Sequence, residues 1–149
     1  MTMQKNTLLL PRALLLLRVA IPLLFMAHAA TRIANGSIPQ FGAFLASLGF
    51  PFATTLVWLI SLYELSAGLL IALGIGVRWF ASGLIFIAVM GIVLIHAANG
   101  WFVGEHGVGG MEYSVCLITA LIALIAADVD QTPTPRESGF RTSATAFPD

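Results

Sequence analysis

Four runs of roughly 20 apolar residues, each long enough to cross a bilayer as a helix, constrain this 149-residue chain more than any other feature. They read as residues 11–30, 52–73, 79–98 and 111–127. Charged residues make up only 9% of the chain, against about 25% in a soluble domain. So few charges cannot cover a surface facing water, and lipid must be the solvent. Hydrocarbon offers no partner to backbone N–H and C=O groups, so the runs are helices rather than strands of an open sheet. The expected fold is all-α, a four-helix transmembrane bundle over residues 1–127. Pro22 removes one backbone bond from the first helix, which a local kink or a neighbouring helix can absorb.

The start of the chain imitates a secretory leader, with Lys5, an apolar stretch and the small-x-small triplet Ala27-His28-Ala29. Arg18 interrupts that stretch and the run approaches full spanning length, so it reads as a retained first helix. The link from helix one to helix two, residues 31–51, is too long for a tight turn. Within it Phe41, Phe44, Leu45 and Leu48 follow the i, i+3, i+4, i+7 spacing of a short amphipathic helix. Ser37 offers its N-cap and Gly49 its stop. The next link is a short turn at Gly76-Val77-Arg78, and the last, NGWFVGEHGVGG, is glycine-rich. Residues 128–149, with Pro133, Pro135 and Pro148, read as a disordered tail.

Charge placement gives an orientation. Lys5, Arg12, Arg78, Arg136 and Arg141 fall on one side and Arg32 alone on the other. Cytoplasmic loops carry the excess of Lys and Arg, so both termini are expected in the cytoplasm, with the protein in the cell (inner) membrane. The net charge of zero supplies no basic field for nucleic acid. Cys116 is the one cysteine. It excludes an intrachain disulfide, a C-x-x-C pair and a thiol relay run by this chain alone.

Ionisable residues inside the membrane are costly and mark function by default. Here they are Arg18, His28, Glu64, His96 and Glu112. At 1.5 Å per residue, Arg18 lies roughly 10 Å and Glu64 roughly 15 Å from the cytoplasmic helix ends. That spacing is compatible with an Arg18–Glu64 ion pair. Ser61, Glu64 and Gly68 share a small, polar face of helix two suited to close helix contact. Arg18, Ile21, Phe25 and His28 form one line on helix one. His28, His96 and Glu112 fall at the outer end, where the last loop can bring His96 and Glu112 together.

A polar cleft near the interface can hydrogen-bond the carbonyl oxygens of a quinone, and a His or Glu there can carry its protons. His96 and Glu112 are the expected catalytic, proton-handling pair. Arg18, His28 and Glu64 are the expected cofactor-binding interior. Two histidines and a carboxylate can also hold a metal, but the spacing is not diagnostic and no metal site is assigned. Each residue has a structural reading beside the functional one. Arg18 and Glu64 can simply lock the bundle, His96 and Glu112 can be wetted helix ends, and Glu105 and His106 can be solvated loop residues.

Several blocks together resemble the DoxX family of small bacterial and archaeal membrane proteins. They are Arg18 followed ten residues later by His28, FGAFLASLGFPF at 41–52, and YELSAGLLIALGIGVRW at 63–79. HAANGWF at 96–102 and GGMEYSV at 109–115 complete the set. The resemblance runs from about Leu14 to Ala127. Where the family commonly has His-Gly and then a Lys after helix one, this chain has HAATRI, with Arg32 at or near the Lys position. The resemblance implies a four-helix membrane protein, a link to quinone or thiol-redox metabolism, and a redox-enzyme partner subunit. A membrane subunit linked to quinone or thiol-redox metabolism is the leading expectation; if it is an enzyme, it is the membrane subunit of a quinone-linked oxidoreductase. A non-enzymatic scaffold that anchors a redox enzyme or forms a homo-oligomer is the second, and a small proton or solute transporter the third.

Overall fold

The computed structural model describes residues 9–104 and 109–130. Four helices long and apolar enough to cross a membrane cover Leu9–Ala34, Ala53–Ala72, Val77–Asn99 and Glu112–Val129. The described residues are helices, turns and loops without a strand. Helix α1 spans Leu9–Ala34, longer than expected at both ends. It stops where Gly36 takes φ +62° and the Ser37 N–H returns to the Arg32 carbonyl at 3.1 Å. Arg32, expected in the link, therefore sits in the last turn of α1.

Helix α2 (Ile38–Ser47) is the short amphipathic helix, with its buried face turned from the expected stripe. Ile38, Gly42 and Leu45 are buried and Phe41 is half-buried, whereas Phe44 and Leu48 stay exposed. Ser37 makes no side-chain cap; its Oγ donates back to the Arg32 carbonyl instead. Gly49 ends the helix as expected, at φ +89°.

Helix α3 (Ala53–Ala72) buries Ala53, Val57, Ser61, Glu64, Ala67, Gly68 and Ile71, a single stripe at helical period. It ends at Gly74, whose φ of +79° lets the Ile75 N–H reach the Leu70 carbonyl at 2.8 Å. The turn to α4 is Leu73 to Gly76, earlier than the expected Gly76-Val77-Arg78, so Val77 and Arg78 already belong to α4. Helix α4 (Val77–Gly91) widens into a π segment at Ile92–His96 and tightens into a 3₁₀ turn at Ala97–Asn99. Helix α5 (Glu112–Asp130) runs past the expected tail boundary, so residues 128–130 are helical. The expected tail from 131 onward lies outside the described residues, as do Glu105 and His106.

The four spanning helices form a ring in which α1 packs on α3, α3 on α4, α4 on α5 and α5 on α1, while α2 lies against α3. The short turn at residues 73–76 makes α3 and α4 antiparallel, and α1 runs antiparallel to α3, with Arg18 beside Gly74 and Arg32 beside Ser61. One core joins Phe25, Ala67, Ile71, Ala81, Leu84 and Leu121. A smaller one under α2 joins Ile38, Leu45, Ala53 and Val57. Many leucines of α1, among them Leu9, Leu10, Leu15, Leu16 and Leu23, face outward, as lipid-facing positions require. Two glycines set helix spacing. Gly68 admits Met26 and the Pro22 carbonyl, and Gly83 lies under the Tyr63 ring, whose hydroxyl donates to the Phe80 carbonyl at 3.1 Å.

Candidate functional site

The α1–α3 register decides which polar groups meet. Gly68 lies against Pro22 and Met26, and Gly74 against the Arg18 guanidinium. Arg18 is thus level with the α3–α4 turn. Glu64 is ten residues from Gly74 along α3, about 15 Å of helix. The Arg18–Glu64 pair expected from depth does not form. The depths were counted from separate helix ends, and α1 begins well outside the level at which α3 finishes.

Arg32 takes the place assigned to Arg18. Its Nη1 donates to Glu64 Oε2 at 2.9 Å and to Ser61 Oγ at 2.7 Å. A guanidinium nitrogen carries two hydrogens, one for each acceptor. The side chains of Arg32 and Glu64 are 10% and 3% exposed. The Phe41 ring of α2 lies 5.5 Å from the guanidinium carbon, a cation–π contact that covers the charge from the outer side. Ser61 donates in turn to the Val57 carbonyl at 2.8 Å. Position on α3 explains the arrangement. Ser61 and Glu64 occupy the middle of the buried stripe, where a carboxylate facing hydrocarbon needs a cation with hydrogen bonds. Sequence reasoning missed Arg32 by treating it as a loop charge. The signal was present, since Arg32 follows His28 by four residues on the same helical face and stands near the family's basic position.

His28 is exposed on α1 one turn before Arg32, within Coulombic range of both Arg32 and His96. The expected line of Arg18, Ile21, Phe25 and His28 therefore holds Phe25 in the core and leaves His28 at its edge.

His96 and Glu112 both hold the glycine-rich loop, from opposite helices. His96 Nδ1 lies 3.2 Å from the Gly109 carbonyl. A carbonyl only accepts, so Nδ1 carries the hydrogen, and in the neutral ring Nε2 keeps a lone pair. Asn99 Nδ2 donates to the same carbonyl at 3.2 Å. Across the loop, Glu112 Oε1 accepts the Val103 N–H at 2.9 Å, and the Glu112 N–H returns to the Trp101 carbonyl at 3.0 Å. Gly110 is buried where a Cβ would strike the Trp101 and Phe102 carbonyls. The π segment widens the helix just before His96 and turns that side chain toward the loop; such segments are frequent at functional sites.

The structure thus divides the five expected site residues. Glu64 and His28 share one half of the bundle with Arg32, the half toward α2. His96 and Glu112 meet through the loop they hold. Arg18 lies apart from the other four, at the opposite end of the bundle. Among the described residues no three His, Cys, Asp or Glu side chains cluster so as to hold a metal.

No curated protein and no solved structure matches the chain. The DoxX family matches it over residues 13–97, from the first turns of α1 to the 3₁₀ turn after His96. That span holds Arg18, His28, Arg32, Ser61, Glu64 and His96 and leaves α5 outside. It covers more than half of the chain, and this multi-pass, all-helical membrane protein belongs to the DoxX family.

Proposed function

We propose that this protein is a membrane subunit linked to quinone or thiol-redox metabolism, with its working site at the outer half of α1, α3 and α4. One observation carries the reading. Arg32, Ser61 and Glu64 form a hydrogen-bonded ion pair inside the bundle, and His28 lies within Coulombic range of Arg32 on one hand and His96 on the other. Ion pairs inside a membrane are expensive and are commonly kept for function. In this reading Arg32 and Glu64 order the site and His28 offers a donor to a quinone carbonyl. His96 Nε2 would take or return a proton as a quinone held there exchanged electrons with a redox-enzyme partner, and Glu112 holds the loop beside it.

The test is extraction of quinone from protein purified out of native membranes, followed by the same extraction from Arg32→Met and His96→Ala. Bound quinone in the unaltered protein, reduced in both variants, supports the reading. Its absence, with respiration and sulfur-compound oxidation unchanged in the variants, ends it.

Orientation belongs to the same proposal. Arg32 is committed to Glu64, so the outer side keeps no free Lys or Arg. The charge bias for cytoplasmic termini in an inner membrane is stronger for it.

The hydrogen bonds of His96 and Glu112 favour a second reading, a scaffold that anchors a redox enzyme or assembles with itself. Both side chains spend their bonds on shaping one loop. A stable partner recovered from native membranes, and lost on deleting residues 131–149, would favour it. Transport has less support, because the Phe25, Ala67, Ile71 and Leu84 core separates the Arg18 end from the Arg32–Glu64 end.

A further inference from the structure

Arg18 has no part in the site just described, and its surroundings are unusual for a charge. Its Nε is buried without a hydrogen-bond partner among the described residues. Its guanidinium packs on the Gly74 turn, where a Cβ would come within 3.2 Å of Nη1. Beside it opens a cleft of about 580 Å³ between the first turns of α1 and the last turns of α5. Leu10, Leu14 and Leu15 form one wall, Leu124 the other and Val77 the floor, with Asp128 also on the lining. Asp128 has an interaction of its own.

That nitrogen is closed off, so an acceptor arriving in the cleft meets the guanidinium at Nη1 or Nη2, and a cation short of acceptors favours one that arrives. The cleft restricts what that can be. Apart from Arg18 and Asp128 its lining is apolar, which suits an acceptor that arrives with an apolar body. It lies level with the α3–α4 turn, at the membrane end shared by the start of α1 and the end of α5. An arginine near a helix end reaches the headgroup zone. The volume falls within the roughly 300–1,000 Å³ of small-molecule sites, enough for a headgroup and the first part of its chains.

We propose that this cleft binds an acidic phospholipid of that leaflet, its phosphate accepting from Arg18 and its acyl chains lying along Leu10, Leu14, Leu15 and Leu124. Arginine suits the role because its planar fork matches phosphate geometry. The apolar walls distinguish a lipid from a free phosphate ion, which would gain nothing from them.

The test uses the full chain, purified into detergent and incubated with equal amounts of phosphatidylglycerol and phosphatidylcholine. Native mass spectrometry counts the lipid retained. The expected result is a preference for phosphatidylglycerol of roughly tenfold, or about 1.4 kcal/mol. Arg18→Gln should bring the two lipids to parity and Arg18→Lys should keep part of the preference. Leu14→Trp, at a half-buried lining position outside the core, narrows the cleft, leaves Arg18 intact and should reduce retention of both lipids. Asp128→Asn should leave the preference unchanged or raise it. Equal retention of the two lipids by the unaltered chain overturns the proposal without recourse to any variant. So does an Arg18→Gln protein that melts like the unaltered one and still prefers phosphatidylglycerol. Displacement of the lipid by millimolar inorganic phosphate would reassign the cleft to a free anion and overturn the lipid assignment.

Discussion

Arg32 reaches from the last turn of α1 to the middle of α3, placing Nη1 2.9 Å from Glu64 Oε2 in the bundle interior. Each charge exists there because the other does. Glu64→Gln or Arg32→Met should therefore destabilise the protein by about 3–5 kcal/mol, the range for stranding one member of a buried pair. The double variant Arg32→Met/Glu64→Leu should recover most of the loss, since a well-packed apolar pair can replace a buried ion pair. Thermal melts in one detergent, arranged as a double-mutant cycle, measure the coupling. Additive losses would mean that the two side chains do not depend on each other.

Two glycines at helix contacts should differ in tolerance. A Cβ on Gly42 would come within 2.8 Å of the Thr54 backbone, which cannot move without shifting α2 against α3. A Cβ on Gly68 meets chiefly the Met26 side chain, which is flexible and can repack, with the Pro22 carbonyl farther off at 3.2 Å. Gly42→Ala should cost about 1–3 kcal/mol and Gly68→Ala clearly less. Melting temperatures of the two variants under one condition decide it.

Gly74 ends α3 in a left-handed conformation, at φ +79°. Gly74→Ala should cost about 1–2 kcal/mol from backbone strain alone. The added Cβ would also crowd the Arg18 guanidinium, so the lipid preference proposed for that cleft should fall with it. The same native mass spectra report both lipid retention and the fraction folded.

The loop between α4 and α5 should loosen when either of its anchors is removed. Glu112→Ala deletes the acceptor for the Val103 N–H, whereas Glu112→Gln keeps an acceptor oxygen. His96→Ala frees the Gly109 carbonyl from one of its two donors. Hydrogen exchange across residues 100–112 should quicken in Glu112→Ala and His96→Ala and change little in Glu112→Gln. Unchanged exchange in all three would show that neither side chain holds the loop.

Much of this architecture was legible in the sequence. The four spans, the short helix before α3, and the buried face of Ser61, Glu64 and Gly68 all follow from periodicity and the intolerance of hydrocarbon for unpaired backbone. The site was only partly legible. Glu64 could be recognised as a buried carboxylate, but its partner could not. Arg18 and Arg32 stand 14 residues apart on α1, about 21 Å of helix, and choosing between them takes the register of α1 on α3. The hydrogen bonds of His96 and Glu112 to the loop depend on backbone groups, which leave no trace in residue type.

The sequence by itself determined that the chain lives in lipid, that it crosses as helices, and that Glu64 must find a cation. Those conclusions rest on local properties: span length, period and the cost of desolvating a charge. Tertiary structure alone decided which cation that is. The sliding register of α1 on α3, set where Pro22 and Met26 meet Gly68 and Arg18 meets Gly74, carries Arg32 to Glu64. The same register leaves Arg18 in an apolar cleft at the opposite end. Register is a property of two packed surfaces, and neither helix encodes it alone.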